Sequence, residues 1–153
     1  MISVNHKSFK LIKEYNDFSY QKKLTEKLDK VDNDFNQGLI NEIVLWKVNR
    51  YAELNLETLD KLNCIKKSDK ELDKKLTRAI LSDLLKTKGI QLPMASTILR
   101  FKNPKFYQIL DQRVYRILYG ENLNLSYNKK SDEQIEIYLN YLERLRIVKR
   151  TEH

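Results

Sequence analysis

Three glycines and two prolines are the only strong chain breakers in this sequence, and their scarcity constrains the fold more than any other feature. A multi-stranded sheet needs a tight turn at each hairpin, and tight turns draw on glycine or proline at fixed places. Gly38, Gly89, Gly120, Pro93 and Pro104 are too few and too scattered to supply them. The apolar residues recur at three- and four-residue intervals, the spacing that gives a helix one buried face. The expectation is an all-α chain forming one compact helical domain over residues 1–153. At this length a single core is stable without disulfide or metal staples, and no repeat or linker divides the sequence.

The helices can be placed from their faces and ends. Ser8 to Val31 carries two short helical patterns broken near Asn16 and Asp17, and Tyr20, Leu24, Leu28 and Val31 share a face in the second. Beyond Gly38, the run LINEIVLWKVNRYAEL is apolar on most sides, which predicts a largely buried helix. Asn55 suits the cap of a brief helix through Leu62. Ser68-x-x-Glu71 reads as a capping box opening a helix with Leu72, Leu76, Ile80 and Leu84 in line, and Gly89 is placed to end it. Pro93 suits the first turn of the next helix, Ala95, Ile98 and Leu99 give its inner face, and Asn103-Pro104 closes it. Asp111 stands at an N-cap ahead of Val114, Ile117 and Leu118, and Gly120 stops that helix. Ser131-x-x-Gln134 opens a last helix with Ile135, Tyr138, Leu142 and Leu145 on one face and a basic end from Arg144 to Arg150.

Charge narrows the partners. Lys and Arg number 29 against 21 Asp and Glu, a formal charge of +8. Such an excess concentrates polyanions at the surface and favours phosphate backbones. A lysine-rich solvated surface has the same composition, and charge alone does not separate the two. Cys64 stands alone, which excludes a disulfide framework, a thiolate zinc site and a four-cysteine iron–sulfur cluster. The two histidines, His6 and His153, sit near the ends, so no metal or other cofactor is expected. No apolar run approaches the roughly 20 residues that cross a bilayer, and the first residues lack a signal-peptide core. The chain reads as cytoplasmic, without membrane contact.

One segment concentrates chemistry: LLKTKGIQLPMASTILRFKNPKFYQILDQRVYRIL, in which a helix ends at a glycine and another begins at once. The first N–H groups of a helix have no partners within it, and the dipole makes that end positive, a combination suited to phosphate. Gly89, with the backbone of Ile90 and Gln91, forms the expected contact, and Lys86, Lys88, Arg100, Lys102 and Arg113 add charge nearby. An ordinary glycine-terminated helical hairpin has the same local sequence.

Gly89-Ile90-Gln91-Leu92-Pro93-Met94-Ala95, then Ile98-Leu99, Ile109-Leu110-Asp111 and Val114-x-Arg116-x-Leu118, resembles the helix-hairpin-helix and following loop of the endonuclease III and adenine glycosylase superfamily. The interval from Ala95 to Asp111 matches that family without a gap, and Ile109 to Leu118 is similar to the adenine glycosylase branch. The resemblance covers residues 84–119 and implies a helix-hairpin-helix motif, with its catalytic-type loop, within about 70–119. It further implies duplex DNA as partner and a monofunctional base-excision reaction in which Asp111 stabilises an oxocarbenium-like sugar. Asp111 is at the same time an N-cap, and the two roles are compatible.

The departures from the family pattern carry their own expectations. Gln91 replaces the hairpin's second glycine. Pro93 occupies the position of the Schiff-base lysine, and with no amine there the lyase route is closed. Glu42 resembles the acidic position that protonates the leaving base in the adenine glycosylases, and its interval to Asp111 is shorter than theirs, implying a reduced helical barrel. Trp46, one turn from Glu42, is a candidate for stacking a flipped base. Trp46, the Phe101, Phe106 and Tyr107 group, and the Tyr115 and Tyr119 pair serve equally well as core. A non-catalytic nucleic-acid-binding module, of the kind found in a mobile-element or defence locus, and a helical interaction protein remain as other readings.

Overall fold

A computed structural model describes residues 20–32, 34–49, 51–125 and 130–151, with side chains described through Lys149. The helical pattern expected before Asn16, together with His6, Arg50 and His153, lies outside the described residues. All regular structure among the described residues is helical, in seven segments. Contacts divide the chain into two compact units, Met1–Tyr51 and Ala52–His153.

The first unit contains α1 (Lys22–Leu28) and α2 (Gln37–Lys47), packed on each other. Leu24 is the buried residue of α1. Asn36 caps α2 by accepting the Leu39 amide at 3.0 Å. The sequence predicts a largely buried helix here, and the structure corrects this. No residue of α2 is buried, and Ile40, Val44 and Leu45 are exposed. An all-round apolar helix needs neighbours on several sides, and among the described residues α1 is the one other helix of its unit.

The second unit holds α3 (Leu56–Cys64), α4 (Lys74–Lys86), α5 (Leu92–Lys102), α6 (Gln112–Tyr119) and α7 (Ser131–Thr151). α4 packs on α3, α5 and α7, α5 also packs on α7, and α6 lies against α7. The four-residue ladder of α4 faces inward, with Ile80, Leu81 and Leu84 fully buried. They meet Leu92, Ala95 and Leu99 of α5 and Ile135, Tyr138 and Leu142 of α7 in one core cluster. Truncating a leucine at its centre to alanine costs about 2–5 kcal/mol by the usual transfer and cavity terms.

Most helix ends follow the sequence. Asn55 accepts the Thr58 amide at 2.8 Å, and Gly120 closes α6 at φ 73°. The start of α4 differs. Asp73, whose Oδ1 accepts the Leu76 amide at 2.9 Å, is the cap. Ser68 and Glu71 lie in the turn before it, a turn in which Asp69 accepts the Lys66 amide at 2.9 Å. Asp73 is as good a cap as serine, and Leu76, Ile80 and Leu84 share one stripe from either start. No described helix is long and apolar enough to cross a membrane.

Candidate functional site

The turn between α4 and α5 is short. Thr87 ends α4, the Ile90 amide donates back to the Thr87 carbonyl at 3.1 Å, and Gly89 sits at φ 86°. A positive φ strains any residue with a Cβ, so glycine is required by the backbone. A Cβ at Gly89 would meet nothing within 4 Å, so the space in front of it is open.

Lys86, Lys88, Gly89 and Gln91 are exposed on this turn. Ile90 is buried, and its amide is already used. Of the expected contacts it therefore anchors the turn to the core and offers no donor outward. Gln91 occupies the N-cap of α5 without a side-chain cap bond. The Ala95 amide donates to the Gln91 carbonyl at 2.9 Å, and Pro93 has no N–H. Leu92 is fully buried, so the outward donor at this end is the amide of the exposed Met94. Lys102 donates to Asn63 Oδ1 at 3.0 Å on the α3 side.

The loop from Asn103 to Asp111 is held by side-chain hydrogen bonds that the sequence did not indicate. Asn103, fully buried, donates to the Lys66 carbonyl at 2.7 Å and accepts the Lys105 amide at 2.9 Å. Tyr138 donates to the Gln108 carbonyl at 2.9 Å and Tyr141 to the Ile109 carbonyl at 3.0 Å. Ser96 accepts the Leu110 amide at 2.9 Å and donates to the Pro93 carbonyl at 2.7 Å. The first turn of α5 and the residue before Asp111 are therefore joined through one buried hydroxyl. A serine in the apolar Ala95-to-Leu99 stretch was the available signal, since a buried hydroxyl must find a partner.

Asp111 emerges at the end of this braced loop, exposed, and caps α6. Its Oδ1 accepts the amides of Arg113 and Val114 at 2.8 and 3.1 Å. Arg113 is exposed beside it. Asp111 and Arg100 both line a groove of about 750 Å³ whose other walls come from the 104–109 loop, Val114 of α6, and α7.

Burial pushes the hydroxyls of Tyr138, Tyr141 and Tyr107 above the ordinary tyrosine range. Tyr138 and Tyr141 are the donors to the loop carbonyls, and the Tyr107 hydroxyl pairs with Thr77 Oγ1 of α4 at 2.8 Å. On α6, Tyr115 and Tyr119 stack at 4.4 Å, and Tyr115 stacks again on Tyr141 at 6.3 Å. That pair packs α6 onto α7.

Glu42 and Trp46 belong to the first unit. Glu42 Oε1 pairs with Lys27 Nζ at 2.6 Å, and this contact raises the lysine's pKa above its ordinary value. Trp46 is held on its ring nitrogen, which donates to Thr25 Oγ1 at 2.8 Å, and on its ring edge, where Tyr20 lies at 5.2 Å. Both side chains have local partners within that unit. No family model matches this chain, and neither the curated proteins nor the solved structures yield a match.

Proposed function

We propose that this chain binds duplex DNA through the turn between α4 and α5, and that it is a hydrolytic base-excision glycosylase in which Asp111 supports the developing charge on the sugar. The observation that carries the reading is the link through Ser96. A turn that exposes Lys86, Lys88, Gly89 and Gln91 is joined by one buried hydroxyl to the loop that delivers an exposed carboxylate. Backbone amides and lysines at the turn suit phosphate. A carboxylate at a fixed offset suits the oxocarbenium-like charge left when a base departs, and helps orient the attacking water. The likeness of residues 84–119 to the helix-hairpin-helix glycosylases supports the same assignment, with a reduced helical barrel as the corresponding architecture.

A second reading is a binding module without catalysis. It is favoured by one observation: Asp111 already accepts two backbone amides as a helix cap, which is reason enough for an aspartate there.

A panel of duplexes carrying uracil, 8-oxoguanine mispairs or alkylated bases separates the two. The glycosylase reading expects alkali-labile abasic sites on at least one duplex, and their loss in Asp111→Asn with DNA binding retained. Binding without abasic sites on any duplex supports the module. Undiminished excision by Asp111→Asn removes the aspartate from the mechanism.

A further inference from the structure

The groove beside Asp111 has a chemistry that the turn does not explain. Arg100, Lys105, Arg146 and Lys149 line it, and Asp111 is the one carboxylate among its described lining residues. Lys105 Nζ stands 5.0 Å and the Arg146 guanidinium 5.6 Å from the centre of the Phe106 ring, so two cations share one aromatic group. The Nη2 of Arg146 is shut off from solvent and has no hydrogen-bond partner. A buried guanidinium nitrogen without an acceptor is costly, and clustered like charges add to the cost. An anion in the groove offsets the clustering of charge.

The remaining walls are apolar. Ile109, Val114, Leu142 and Leu145 line the same space, which at about 750 Å³ lies in the size range of small-molecule sites. A bare inorganic anion leaves those walls uncovered, and an apolar ligand leaves the cations unpaired. The chemistry that satisfies both is a phosphate group on a flat, largely apolar body. Arginine suits it because its planar fork matches phosphate oxygens two at a time.

We infer that this groove is a binding site for a nucleoside 5′-phosphomonoester, with Arg146 as its anchor and Arg100, Lys105 and Lys149 completing the phosphate pocket. The phosphomonoester is that of a free nucleotide or that of the 5′ end of a strand. The site stands whether or not the α4–α5 turn grips DNA, because no residue of that turn lines it.

The test is calorimetric titration of the whole chain with adenosine 5′-monophosphate, adenosine and inorganic phosphate. The nucleotide is expected to bind about tenfold or more tightly than either fragment. Arg146→Gln is expected to weaken nucleotide binding about tenfold or more, while the Lys86→Gln/Lys88→Gln double variant leaves it unchanged. Lys149→Gln, an exposed change that leaves the core intact, is expected to weaken it about threefold and decides the matter if Arg146→Gln does not fold. A 5′-phosphorylated oligonucleotide is compared with its 5′-hydroxyl counterpart. Preference for the 5′-phosphorylated strand over its 5′-hydroxyl counterpart assigns the strand end, and equal binding of the two assigns the free nucleotide. Equal affinity for adenosine and its monophosphate overturns the inference, as does unchanged binding in folded Arg146→Gln.

Discussion

Ser96 Oγ accepts the Leu110 amide at 2.9 Å inside the core, and so fixes the distance between the start of α5 and the cap of α6. The hydroxyl also donates to Pro93 within its own helix. A weak helix former such as serine, fully buried in an apolar stretch, is held there by these two bonds.

Removing that hydroxyl isolates its contribution. Ser96→Ala leaves the Leu110 N–H without a partner in a dry environment, which costs about 1–3 kcal/mol. Denaturant unfolding is expected to show a lower midpoint with an unchanged slope. A midpoint equal to the wild type's assigns the loop's position to other contacts.

Asp111 separates stability from chemistry. Asparagine caps a helix about as well as aspartate, so Asp111→Asn is expected to unfold within about 0.5 kcal/mol of wild type, whereas Asp111→Ala loses about 0.5–2 kcal/mol. Both are expected to lose excision. Equal destabilisation by the two variants places the charge, rather than the cap bond, at the origin of the effect.

The buried tyrosines set an alkaline limit. Tyr138, Tyr141 and Tyr107 have hydroxyl pKa values raised in the folded state, chiefly by burial. Above pH about 10 the unfolded chain releases these protons and the folded chain retains them. The unfolded state then binds fewer protons, so stability present below pH 10 falls as pH rises, by about 1.4 kcal/mol per pH unit per retained proton. Tyr138→Phe is expected to flatten the decline by one proton's share. The tyrosinate absorbance that Tyr138→Phe removes is expected to appear together with unfolding, and its appearance in the native state near pH 10 contradicts the assigned burial.

Local chemistry was legible in the sequence and long-range placement was not. Asn55, Asp111 and Gly120 act where they were expected because a cap or a stop depends on a few neighbouring residues. Ser68 and Glu71 had a competitor in Asp73, an equally good cap further along the chain. The burial expected along α2 failed because composition reports how much apolar surface exists, not whether a neighbour covers it. Ile117 on α6 is 83% exposed for the same reason. Gly89, Lys86 and Lys88 were placed on one turn by spacing alone, with Ile90 turned inward as the exception. The braces from Tyr138 and Tyr141, 30 or more residues away from their carbonyl partners, and the pairing of Arg146 with Phe106 arise from packing that no local pattern encodes.

The lysines at the turn have a thermodynamic signature. Log affinity for duplex DNA falls linearly with log salt, in proportion to the phosphates neutralised. The Lys86→Gln/Lys88→Gln variant is expected to weaken binding to all sequences alike and to lower the magnitude of that slope by about 2. An unchanged slope moves the contact elsewhere on the surface.

The central claim, that the turn between α4 and α5 is the DNA contact, is met most directly by mapping backbone amide chemical shifts during titration with a short duplex. The account predicts the largest changes at Lys88, Gly89 and Met94, with smaller ones at Arg113. Changes confined to residues outside 86–94 and 111–114, with those amides unmoved at saturation, contradict it.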